Sequence, residues 1–162
     1  MEKSNTPTER LNKLDEILDQ YESNLGLSAY SNNFHDNTVH ELMNMPRQQM
    51  EKLTVDQCAE AALALGGFSF YLQRSYNREV ARVNWAEGAI RSVISGRESQ
   101  YRGSWDSQYY QAANEDGYTK KLLAIKKYAQ QRADRLTYLA SSTKNLSDLY
   151  INLQRAKINR NG

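Results

Sequence analysis

The apolar positions of this chain recur at steps of three and four, interrupted by a few polar clusters, and predict helices from end to end. Thr6 precedes Pro7 and is followed three residues on by Glu9, a capping-box spacing with proline at the first helical position. Leu11, Leu14, Ile17, Leu18 and Tyr21 continue that first helix, which Asn24 or Gly26 ends. Residues 27 to 38 are rich in turn formers and read as a connector. Between Asn37 and Leu53, Val39, Leu42, Met43, Met45 and Met50 predict one or two short helical turns interrupted at Pro46.

Thr54 and Gln57 repeat the capping-box spacing. From there one stripe runs through Cys58, Ala62, Leu65, Ser69, Leu72, Tyr76, Glu79, Val83, Ala86, Ile90 and Val93, with Ser69 and Glu79 as its polar exceptions, and predicts a helix reaching to about Tyr101. Gly66-Gly67 implies a kink or a close helix crossing, or alternatively a loop. Arg102-Gly103-Ser104 marks a reversal, with Ser104 as the cap of the next helix, and Gly117 is a candidate break. Leu122, Ile125, Ala129, Arg132, Leu136, Leu139, Thr143, Leu146, Tyr150 and Leu153 then form an unbroken three-four alternation.

The expected fold is all-α: a long antiparallel, coiled-coil-like helical hairpin over residues 54–162, preceded by a shorter helical arm and connector over residues 1–53. Phe68, Phe70, Leu123, Tyr138, Leu149 and Ile151 fall off the main seam, so oligomerisation is expected to cover them.

Charge adds direction to this frame. Residues 1–60 hold 5 Lys/Arg against 11 Asp/Glu, residues 61–119 hold 6 against 6, and residues 120–162 hold 10 against 2. The formal net charge of +2 conceals this gradient, which points to an anionic partner, a nucleic acid or an acidic protein segment. No apolar run is long enough for a membrane span. The first ten residues lack a signal-peptide pattern and Cys58 is the only cysteine, so a cytoplasmic location is expected.

Enzyme signatures are missing. His35 and His40 have no partner at metal-ligand spacing, Cys58 lies on the apolar stripe, and Gly66-Gly67 lacks the ending of a phosphate loop. Neither catalysis, a metal nor a cofactor is expected. On the heptad frame Lys120, Lys121, Lys126, Lys127, Arg135 and Arg155 fall away from the seam. Arg78 and Arg82 are expected to pair with nearby acids. Around the turn, Arg91, Arg97, Arg102, Lys120, Lys121, Lys126 and Lys127 accompany Tyr101, Trp105, Tyr109, Tyr110 and Tyr118. Cations neutralise phosphates and flat rings stack unpaired bases, so this set is the candidate surface for single-stranded DNA without base reading.

The stretch Tyr71-Leu72-Gln73-Arg74-Ser75-Tyr76-Asn77-Arg78-Glu79-Val80-Ala81-Arg82-Val83-Asn84-Trp85-Ala86-Glu87 resembles the first long helix of phage recombination mediators of the UvsY type. Residues 129–139 and 153–157 are similar to their C-terminal helix. The resemblance implies a small helical oligomer that binds single-stranded DNA, loosens the single-strand-binding protein and helps a RecA-like recombinase load, in the host cytoplasm if phage-encoded. It also implies DNA contacts late in the first long helix, where Arg91 and Arg97 stand. The acids Asp15, Glu16, Asp19 and Glu22 are expected either to meet partner proteins or to shield the basic face. The competing expectation is a structural or scaffolding coiled-coil protein of a virus particle.

Overall fold

A computed structural model describes residues 6–27, 37–96 and 101–161. His35, Arg97 and most of the predicted connector lie outside them. The described residues form seven helices in chain order and no strand: α1 (Pro7–Asn24), α2 (Asn37–Met43), α3 (Arg47–Lys52), α4 (Val55–Ser95), α5 (Trp105–Glu115), α6 (Gly117–Leu136) and α7 (Leu139–Asn161). The chain is an all-α antiparallel helical hairpin with a shorter N-terminal arm.

Local chemistry sets the helix starts. Thr6 N–H donates to Glu9 Oε2 at 2.8 Å and Glu9 N–H to Thr6 Oγ1 at 3.3 Å. Thr54 and Gln57 make the same reciprocal pair, at 2.9 and 3.1 Å. Ser104 accepts from Ser107 N–H at 3.3 Å. Each side chain satisfies a backbone donor that the first helical turn leaves without a partner. Gly26 and Gly103, both at positive φ, turn the chain where α1 ends and α5 begins.

Two predicted boundaries move. The long helix ends at Ser95 rather than near Tyr101. The candidate break at Gly117 is real, since Asp116 adopts extended φ and ψ of −121° and 121° between α5 and α6, but a second break divides the expected unbroken alternation where Tyr138 stands at φ 66° between α6 and α7. By contrast α4 passes through Gly66-Gly67 without interruption.

The chain folds as two compact units, residues 1–24 with 76–135 and residues 25–75 with 136–162. In the first unit Ile90, Ile94, Tyr101, Tyr109, Ala112 and Leu122 form the core, with Trp85, Tyr118 and Leu123 packed on it. α4 and α6 run antiparallel there, because Glu87 meets Lys126 while Glu79 meets Arg132.

In the second unit the core is Val39, Ala61, Ala62, Leu65 and Tyr150, flanked by Phe68, Leu146 and Ile151. Small residues let α4 and α7 approach closely: Ser147 Oγ donates to the Ala62 carbonyl at 2.7 Å, and a Cβ placed on Gly66 would lie 3.7 Å from Ser147 Oγ. The helices cross beside Gly66, where a Cβ would meet Ser147 at ordinary contact distance. Tyr150, fully buried, donates through its hydroxyl to the Leu42 carbonyl at 2.9 Å and so satisfies an acceptor near the C-terminus of α2.

Candidate nucleic-acid interface

The aromatic and basic residues of the turn region all belong to the first unit, where the structure sorts them into two groups. Tyr101, at 2% exposure, and Tyr109 are core residues, so neither presents a ring face on which a base could stack. Burial also pushes the Tyr109 hydroxyl above its ordinary pKa.

Lys126 joins them inside, in contrast to the outward position that the heptad frame gives it. Its ammonium donates to Glu87 Oε2 at 2.6 Å and to Tyr109 Oη at 3.2 Å, and lies 5.0 Å from the Tyr109 ring centroid. The physical reason is the buried stripe of α6: Thr119, Leu122, Ala129 and Ala133. Residue 126, four after Leu122 and three before Ala129, lies on that stripe. The hydrogen bond from Lys126 holds the Glu87 carboxyl below its ordinary value, despite a partial burial that opposes the shift. For Lys126 itself burial disfavours the ammonium, but bonding to Glu87 and Tyr109 outweighs it and raises the pKa.

The second group faces water. Trp105 is 41% exposed, and the Arg91 guanidinium lies over its ring at 5.1 Å from the centroid while Nε donates to Glu87 Oε1 at 3.2 Å. Arg102, Lys120, Lys121 and Lys127 are exposed. None of these four makes a side-chain ion pair among the described residues. Arg102 precedes α5, whereas Lys120 and Lys121 lie near the start of α6 and Lys127 at its middle, so the eleven residues of α5, about 16 Å of helix, separate Arg102 from the lysines along the chain. Tyr110, adjacent to buried Tyr109, and Tyr128, adjacent to Lys127, expose their rings. Tyr110 belongs to the candidate set read from the sequence, whereas Tyr128 does not, and its position beside Lys127 was the available signal.

A second basic constellation on α4 is wholly engaged. Arg82 forms a two-pronged pair with Asp15, Nε to Oδ1 at 3.0 Å and Nη2 to Oδ2 at 2.9 Å, and also donates to Glu79 Oε1 at 2.8 Å. Arg78 donates to Asp19 at 2.6 Å and Glu22 at 2.9 Å. Hydrogen bonding to Asp15 holds Arg82 above its ordinary pKa against partial burial. For Arg78 desolvation opposes charging, but Asp19 and Glu22 overcome it. The polar exception in the α4 stripe thus has its explanation: Glu79, buried, lies between Arg82 and Arg132, whose Nε stands 3.0 Å from Oε2 without hydrogen-bond alignment.

Among the described residues no group of His, Cys, Asp and Glu has the arrangement of a metal site, and no helix is long and apolar enough to cross a membrane. Cys58 is buried and desolvation raises its pKa, which disfavours the nucleophilic thiolate. Comparison with family models, curated proteins and solved structures returns no match for this chain.

Proposed function

We propose that this protein is a non-enzymatic recombination mediator that binds single-stranded DNA and promotes loading of a RecA-like recombinase onto strands coated by single-strand-binding protein. The observation that carries the DNA-binding part is the exposed stack of Arg91 on Trp105, accompanied in the same unit by Arg102, Lys120, Lys121 and Lys127. An indole backed by a guanidinium offers a sequence-tolerant platform for an unpaired base, and the exposed cations suit the phosphates on either side of it. The recombinase and the single-strand-binding protein enter through the resemblance of residues 71–87, 129–139 and 153–157 to UvsY-type mediators.

Fluorescence anisotropy with labelled oligothymidylate and with duplex of equal length, at several salt concentrations, tests the reading. Single-stranded DNA is expected to bind more tightly. Lys120, Lys121 and Lys127 changed together to Ala should reduce the salt slope by about 2, since each phosphate contact on a single strand contributes about 0.7. Absence of binding at low salt refutes the proposal. Recombinase ATPase on strand pre-covered with single-strand-binding protein then tests mediation: acceleration is expected, and none would leave only a DNA-binding protein.

A scaffolding role in a virus particle is the second reading. It is favoured by one observation, the apolar surface of the second unit, where Leu63 is 79% and Phe70 66% exposed on α4. Assembly into large particles without DNA, seen by light scattering, would favour it.

A further inference from the structure

Two parts of the first unit carry opposite charge, and they are packed on each other. α1 runs antiparallel to α4, since Asp15 meets Arg82 while Asp19 and Glu22 meet Arg78. Arg78 and Arg82 stand one helical turn apart, about 6 Å along the axis, and their side chains are only about a fifth exposed because α1 covers them. Apart from these pairs and the Arg10 guanidinium over the Tyr118 ring, 5.7 Å from its centroid, α1 is lightly held. Pro7 is its one buried residue, Leu11, Leu14 and Leu18 are half-buried, and Ile17 and Tyr21 face water. Its carboxylates occupy positions where phosphate oxygens would make the same charge-assisted, two-pronged bonds to guanidinium.

Resting on the proposed binding of single-stranded DNA, we infer that Arg78 and Arg82, with half-exposed Arg132 beside them across Glu79, form a second surface for single-stranded nucleic acid, and that α1 covers the first two as an acidic internal substitute for the strand. With α1 in place, four carboxylates surround the three guanidiniums. With α1 withdrawn only Glu79 remains, and the cluster carries a net charge of +2. A bound strand supplies the replacement anions, so the first contacts at the exposed turn cations favour withdrawal of α1 and a longer binding track. The acidic arm and the nucleic acid are then competitors for one surface.

The test compares the unaltered chain with Asp15→Asn/Asp19→Asn/Glu22→Gln, and with a charge-matched control, Glu16→Gln/Glu41→Gln/Glu60→Gln, whose three glutamates are exposed and outside the network. Anisotropy is read with labelled oligothymidylate. Opening two more phosphate contacts steepens the salt slope by about 1.4, so the affinity of the first variant should fall about sevenfold further than that of the unaltered chain between 50 and 200 mM salt. It should also bind more tightly at 50 mM, with the control unchanged in slope. In the unaltered chain, oligothymidylate should accelerate hydrogen exchange across residues 7–24.

If the unaltered chain binds the strand but the first variant gains neither affinity nor slope, or gains no more than the control, the covered surface is wrong while the DNA-binding reading stands. Slowed or unchanged exchange in α1 on binding overturns it as well. If no form of the protein binds oligothymidylate at 50 mM salt, the reading itself fails, and the inference with it.

Discussion

Replacing Lys126 by Met separates a structural lysine from a DNA-contacting one. The methionine keeps an apolar stem against Tyr109 but removes the ammonium that bonds Glu87 at 2.6 Å and Tyr109 at 3.2 Å. The pair is largely withdrawn from water, with side-chain exposures of 30% for Lys126 and 24% for Glu87. Surface pairs are worth about 0–1 kcal/mol, whereas breaking a buried pair costs about 3–5 kcal/mol. Glu87 keeps Arg91 as a second partner at 3.2 Å, which places the loss at the lower side, about 1–2 kcal/mol. In a chain of 162 residues this lowers Tm by about 2–8 °C.

The pH dependence gives an independent check on the same prediction. Glu87 has a depressed folded pKa, so its contribution is present above the ordinary value of 4.5 and is lost as pH falls through the lower folded value. The stability difference between Lys126→Met and the unaltered chain should therefore be full at pH 7 and shrink below about pH 4.5. Urea titrations at pH 7 and at successive acidic values measure it, and oligothymidylate affinity at pH 7 should change little. Equal stability at pH 7, or a stability loss that persists unchanged in acid, would refute the network. A fall in affinity as large as that from changing Lys120, Lys121 and Lys127 would refute its separation from the binding surface.

Tyr150→Phe should cost about 1–2 kcal/mol in urea unfolding, because the Leu42 carbonyl loses the hydroxyl donor at 2.9 Å; an unchanged midpoint would remove that bond from the account. Tyr138→Asn should stabilise by about 1 kcal/mol, since Tyr138 holds φ 66° with its side chain exposed and asparagine accepts this backbone region more readily. A lowered thermal midpoint would contradict that expectation.

The parts of the fold legible in the sequence are those with short-range causes. Capping at Thr6, Thr54 and Ser104 involves residues three apart, and the α4 stripe repeats a single local rule from Cys58 to Val93. Glu79 was visible as a misfit, but Arg132 was not visible as its partner, 53 positions later. The pairing of Asp15 with Arg82 spans 67 residues. Charge alone suggested acidic partners for Arg82 without selecting Asp15. The heptad frame turns Lys126 outward because it draws the seam through Ile125, whereas the buried face of α6 runs through Thr119, Leu122, Ala129 and Ala133, and residue 126 falls on that face. For Tyr101 and Tyr109, composition could not distinguish a stacking ring from a core ring; their burial in one cluster does.

The carboxylate of Glu79 also bears on how the hairpin finds its alignment. Apolar residues at steps of three and four are nearly interchangeable, so sliding α6 by seven residues along α4 would replace one apolar contact with another at small cost. It would not do so for Glu79, which would lose Arg132, keep only Arg82 on its own helix, and turn its buried Oε2 towards an apolar neighbour. A single acidic position within the apolar stripe thus penalises the slipped pairings that the stripe alone would tolerate, and selects one register at the expense of some cohesion.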